Sequence, residues 1–236
     1  MSDFDLDRLG DVPDPLAGFG GALEGRPLPP MPSAIAPSPT RRQVGNLRVA
    51  ALLAALAYDV AWIAIMNKRD DLRTMSPVAL LVEVSIPFAA AVLALLAAAA
   101  PGSRGLGEPK ARLAAMSLLA PAVFVVSTVA LSRVLPVVGE ADAGPFWAHA
   151  LRCFSWTSLY TLGPLVFAGW AFRRSFVTAP VWKMASLGVA AGAAGAATMV
   201  FVCSVGTPMH VLVGHGGPML VGALFGIVLG RRLGQV

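Results

Sequence analysis

Five side chains in this sequence have the chemistry to ligate a soft metal or to exchange electrons: His149, Cys153, Cys203, His210 and His215, which are all of its histidines and cysteines. Each falls at the end of an apolar block, and the charge pattern puts all five on one side of a bilayer. His149 and Cys153 are spaced i, i+4 and share a helix face. His210 and His215 are i, i+5, which is not one face of a regular helix, but Gly214, Gly216, Gly217 and Pro218 loosen that turn. Three chemistries suit the set. The thiols can form a Cys153–Cys203 disulfide in an oxidising compartment. Thiolates and imidazoles together can bind zinc, copper or another thiophilic metal ion. Histidine can ligate haem, although no attachment motif supports that. Against all three stands a plain structural role, with the cysteines as buried apolar residues and the histidines as hydrogen-bonded groups at the membrane interface.

Two acids lie inside apolar blocks, Asp59 in the first and Glu83 in the second. At helical rise both sit ~10–12 Å below the outer surface, where an unpaired carboxylate is costly. They are expected to be protonated, to face each other across the hairpin, or to pair with Arg133 or Arg152. A structural pairing that holds the helices is favoured over a proton relay. Pro87, four residues after Glu83, is expected to kink the second helix and free a carbonyl near that acid.

The elements that position these groups are apolar helices. The chain is 56% hydrophobic and only 13% charged, and six apolar blocks stand out: Leu47–Met66, Met75–Ala100, Leu113–Val138, Cys153–Phe172, Val181–Val202 and His210–Gly230. Each is long enough to cross a ~30 Å hydrocarbon core as a helix. The pattern predicts an all-α fold, a six-helix transmembrane bundle over residues 46–236 preceded by a disordered cytoplasmic tail over residues 1–45. No block alternates as a membrane barrel strand does, and the polar, Pro-rich start predicts an uncleaved first anchor rather than a signal peptide. Most of the 18 Lys and Arg residues flank the blocks on the side of the two termini, with Lys68, Arg69, Arg73, Arg133 and Arg152 on the other. Both termini are therefore expected in the cytoplasm. The net charge of +5 is spread as topology signals rather than gathered into a patch with interleaved aromatics, which argues against direct nucleic-acid binding.

In the tail, Ser2–Leu16 is acidic, with Phe4, Leu6 and Leu9 spaced for a short amphipathic turn among Asp3, Asp5 and Asp7. Too short to be a stable helix alone, it reads either as an inert leader or as a peptide that folds on a cytoplasmic partner. Pro27–Thr40 is Pro-rich, an extended spacer to the membrane. At the other end, Gly188, Gly192 and Gly195 on the fifth block and Gly222, Gly226 and Gly230 on the sixth predict backbone-to-backbone approach of those helices. That approach brings Cys203 beside His210.

Taken together, these segments resemble the NrsF family, negative regulator of sigma F, of multi-pass anti-sigma factors. The similarity rests on the RPLPP…PTRR approach to the first span, the run from Cys153 through FRRSFVTAP, VCSVGTPMH and the ending GALFGIVLGRRL. HVLVGHGGP departs from the aromatic-rich sequence many members carry there. The resemblance implies an inner-membrane regulator of transcription in a stress response. Its tail would sequester an extracytoplasmic-function sigma factor, with Phe4, Leu6 and Leu9 as anchors and Asp3, Asp5 and Asp7 against a basic surface. Cys153–Cys203 chemistry or metal binding at the outer cluster would shift helix packing and release the sigma factor. The implied partners are that sigma factor and membrane lipid, and the cofactor is a metal ion or none beyond the disulfide. The competing reading is a small multi-pass metal or solute transporter using Asp59, Glu83 and the His/Cys cluster. An enzyme is not expected, since no nucleotide-binding loop or HExxH zinc motif occurs.

Overall fold

The first helix opens well before the apolar block that announces it. Thr40 caps it through a reciprocal pair: the Gln43 N–H donates to Thr40 Oγ1 at 3.3 Å, and the Thr40 N–H donates to Gln43 Oε1 at 2.8 Å. The cap starts α1 at Arg41, and it runs to Ile65, long enough at ~1.5 Å per residue to exceed a bilayer core. A computed structural model describes residues 40–99, 110–131, 145–172 and 179–233. Pro39–Val236 form one unit, and the other, Met1–Ser38, lies outside the described residues.

After α1 come a 3-10 turn, Asp70–Arg73, and then α2 (Pro77–Ala99), α3 (Lys110–Leu131), α4 (Phe146–Phe172) and α5 (Pro180–Met199). The last helix, α6, is composite: a short α-turn Pro208–His210, a π-helical turn Val211–Gly216, and an α-helix Gly217–Leu233. Among the described residues there are no strands. Among the described residues three helices, α1, α2 and α6, are long and apolar enough to cross a membrane. The fourth helix starts at Phe146, two turns ahead of the apolar block expected from Cys153, so His149 and Cys153 both sit in its opening turns. The end of the expected third span, beyond Leu131, lies outside the described residues.

Helix α5 is the centre of the bundle. Its buried residues are almost all Ala, Gly, Ser, Val, Leu and Met, from Met184 to Met199, as expected for a helix that has neighbours on every side. The tightest of these is α6. A Cβ on Gly188 would collide with the Gly222 carbonyl, one on Gly226 with the Met184 carbonyl, and one on Gly192 would lie 2.5 Å from Met219 Cα. Gly195 serves a different neighbour and faces Thr157 and Thr161 of α4. A core of Ala90, Ala94, Ala120, Phe124, Val189, Ala193 and Met219 joins α2, α3, α5 and α6. Large apolar residues such as Leu52, Leu56, Leu81, Phe88, Leu224 and Phe225 point outward instead. Small residues inside and large apolar ones outside is an arrangement compatible with helices packed in lipid.

Candidate functional site

Three separate elements bring four of the five expected ligands together. Cys153 comes from α4, Cys203 from the segment between α5 and α6, and His210 and His215 from the opening of α6. Their donor atoms all lie within 4.8 Å of one another. The sulfurs are 3.4 Å apart, well beyond the ~2.05 Å of a disulfide bond, and both cysteines are free. Cys203 Sγ is 3.3 Å from His210 Nε2. The imidazoles of His210 and His215 meet edge to face, with centroids 5.5 Å apart. His149 is not in the group: the cluster closes at the level of Cys153, one turn further into α4.

The π-helical turn is what lets both histidines contribute. In a regular α-helix, positions 210 and 215 would lie ~140° apart around the axis, whereas i→i+5 bonding stacks residues five apart on successive turns. Pro218 favours the wide turn, because it offers no N–H to the Gly214 carbonyl and its ring would clash there. The glycines of this turn are also places of close packing. A Cβ on Gly214 would stand 3.1 Å from Cys153 Cβ, and Cβ atoms on Gly216 and Gly217 would each come within 2.9 Å of a phenylalanine ring, Phe124 and Phe154 respectively.

A second support of the cluster is a residue whose charge, in the sequence, marks only topology. Arg69 is buried, its side chain 4% exposed. Its Nε and Nη2 donate to the two oxygens of Asp71 at 2.6 and 2.7 Å, and its Nη1 donates to Glu83 Oε2 at 2.9 Å and to the Val200 carbonyl at 3.3 Å. The Arg69 backbone N–H also donates to the Phe201 carbonyl at 3.1 Å. The loop after α1 is thereby fastened to the segment that carries Cys203. Burial works against the Arg69 cation, but the two carboxylates outweigh it and raise its pKa. The same guanidinium, donating to Asp71, holds that carboxyl below its ordinary range. The charge pattern RDD and the acid fourteen positions on were the available signal.

Glu83 thus pairs with Arg69, not with Asp59 or Arg152, while Arg133 lies outside the described residues. A buried guanidinium is a fixed, planar donor and reached Glu83 from the intervening loop. Asp59 stands elsewhere, 8% exposed, its Oδ1 without a hydrogen-bond partner. It faces a lateral cavity of about 300 Å³ between α1, α2, α4 and α5, lined mostly by residues such as Ala55, Leu95, Ala168 and Ala191. Pro87 is inside α2 and buried. An aromatic group joins α1 to α4: Trp62 of α1 packs on Trp156 and Tyr160 of α4, with centroids 6.2 and 5.4 Å away, and the Tyr58 hydroxyl donates to the Leu159 carbonyl at 3.0 Å. The i, i+4 pairs Tyr58/Trp62 and Trp156/Tyr160 mark it.

Two half-buried thiols and two buried imidazoles that converge in this way can bind a thiophilic ion or, with a sulfur shift of little more than 1 Å, form a disulfide. The family model described as NrsF, negative regulator of sigma F, matches residues 33–234. The chain belongs to the NrsF family. The match begins ahead of α1 and takes in all six helices, with Cys153, Cys203, His210 and His215 among them. As an NrsF-family member the chain is placed among regulators of a sigma factor. Phe4, Asp5, Leu6, Asp7 and Leu9 precede the matched span and lie outside the described residues. No curated protein and no solved structure matches the chain.

Proposed function

We propose that this protein is a multi-pass inner-membrane anti-sigma factor. Its cytoplasmic tail holds an extracytoplasmic-function sigma factor, and a redox or metal event at Cys153, Cys203, His210 and His215 on the outer side releases it. The family match over residues 33–234 carries the reading. Three helices apolar enough to span a bilayer agree with the membrane setting, and the basic residues at the start of α1 and the end of α6 agree with cytoplasmic termini.

The proposed route between the two sides runs through the loop after α1. Cys203 follows the carbonyls of Val200 and Phe201 that Arg69 binds. Arg69 in turn follows α1, and α1 continues through Arg41 into the tail. A signal that favours one arrangement of the Cys203 segment therefore has a mechanical lever on the tail, provided that it stabilises that arrangement over the other.

The transporter reading has less support, because polar side chains along the lateral cavity are limited to Arg48, Asp59 and Thr198. Removing Ser2–Leu16 tests the proposal. The target genes should then be expressed constitutively while the protein remains in the membrane. Unchanged expression with normal membrane insertion would overturn the tail as the sigma-binding element.

A further inference from the structure

We infer that Cys153, Cys203, His210 and His215 form a closed, four-coordinate site for a divalent ion of the zinc class. The inference narrows the signal at the proposed sensory site to metal occupancy. Binding of the ion is independent of the anti-sigma reading, and only its regulatory effect rests on that reading.

The donor distances carry the argument. Tetrahedral zinc with sulfur ligands at ~2.3 Å and nitrogen ligands at ~2.0–2.1 Å places its donors ~3.3–3.8 Å from one another. The sulfur pair at 3.4 Å and the Cys203–His210 pair at 3.3 Å fall within or close to that span, and the whole set stays within 4.8 Å. Shifts of about 1 Å or less complete the tetrahedron. All four ligands come from the protein, which is the pattern of a structural or regulatory site rather than a catalytic one.

A second observation points independently to a ligand. His215 is 5% exposed, and its Nε2 is buried without a hydrogen-bond partner. A buried polar atom left in that state is costly unless something satisfies it. His210, 1% exposed, is buried beside it. Charge agrees as well: two thiolates, two neutral imidazoles and a divalent ion sum to zero, the arrangement least penalised in a low-dielectric surround. The π-helical turn serves this purpose, since it is the departure from regular helix that aims both histidines at the thiols.

The test uses the full-length protein purified in detergent under anaerobic conditions. Metal content is measured after equilibration with zinc and removal of the excess, and cobalt substitution reports the ligands. The expected result is about one zinc per chain and, for cobalt, the visible absorption of a tetrahedral ion with thiolate charge-transfer bands. Cys203→Ser and His215→Ala should each lose most of the bound metal, and His149→Ala should keep it. Because a cysteine variant could misfold, the His215→Ala protein is also checked for an unchanged helical circular-dichroism spectrum. Full zinc binding by either ligand variant, or a wild-type protein that binds no zinc while its thiols are titratable, would overturn the site. If zinc binds as expected but no sigma factor is captured, the site stands and the anti-sigma reading falls.

Discussion

Arg69 and Glu83 form a 2.9 Å ion pair that closes the first helical hairpin, and the same guanidinium also binds the Val200 carbonyl at the end of α5. One side chain thus joins α2, the loop after α1 and the segment that leads to Cys203. Removing one partner of a buried ion pair costs ~3–5 kcal/mol when the other charge is left stranded. Here Asp71 and Glu83 keep side-chain exposures of 25% and 33%, and water would partly compensate them. Arg69→Ala is therefore expected to destabilise the protein by about 2 kcal/mol, measured by denaturation in detergent. Arg69→Lys keeps the charge but loses the two-pronged contact with Asp71, and it should fall between wild type and Arg69→Ala.

Acid should weaken the same joint. Asp71 is held below its ordinary range by Arg69, so its folded pKa lies under the unfolded value of about 3.9. Its contribution is fully present above the unfolded value and is lost as pH falls through the lowered folded one. Thermal stability measured from about pH 6 downward should thus decline in that acid window. Asp71→Asn should be less stable than wild type at the upper end and should converge with it at the lower.

The α5–α6 seam makes a sharp contrast between two glycines. A side chain at Gly188 meets the Gly222 carbonyl, whereas a Cβ at Gly45 has nothing within 4 Å. Gly188→Leu should force the helices apart and cost at least ~2–3 kcal/mol, the scale of an overpacked core. Gly45→Ala, on an exposed turn of α1, should stabilise by up to ~1 kcal/mol through helix propensity alone. Melting temperatures of the two variants in the same detergent decide both statements.

Asp59 makes the opposite prediction from Arg69. Its Oδ1 is buried and unpartnered beside a mostly apolar cavity, so Asp59→Leu removes a buried oxygen without a hydrogen-bond partner and fills space with hydrocarbon. A gain of about 1–2 kcal/mol in stability is expected. A loss of stability would mean that the carboxyl holds a contact essential to the fold.

The six helices were legible because long apolar blocks in this composition admit few alternatives, and the Gly188/Gly222 and Gly226/Met184 approaches followed from small residues at helical spacing. Helix starts were less legible. The Thr40–Gln43 cap lies ahead of the apolar residues of α1, in a stretch whose arginines read as topology. All four clustered ligands are recognisable by residue type, and the glycines and proline from Gly214 to Pro218 mark a loosened turn, but nothing in them specifies the π-turn over Val211–Gly216. Arg69 was not recognised as structural, since a charge in a short loop gives no sign that it will be buried. Its partners Asp71, Glu83 and Val200 are brought to it only by the packing of three elements.

Capture of a soluble partner from native membranes tests the central claim most directly. Full-length protein and a form lacking Ser2–Leu16 are purified side by side, and co-purifying soluble proteins are identified by mass spectrometry. The account predicts a sigma factor bound to the full-length protein and absent from the truncated one. Equal recovery of a sigma factor with both forms would contradict the role of the tail, and recovery with neither would contradict the anti-sigma function.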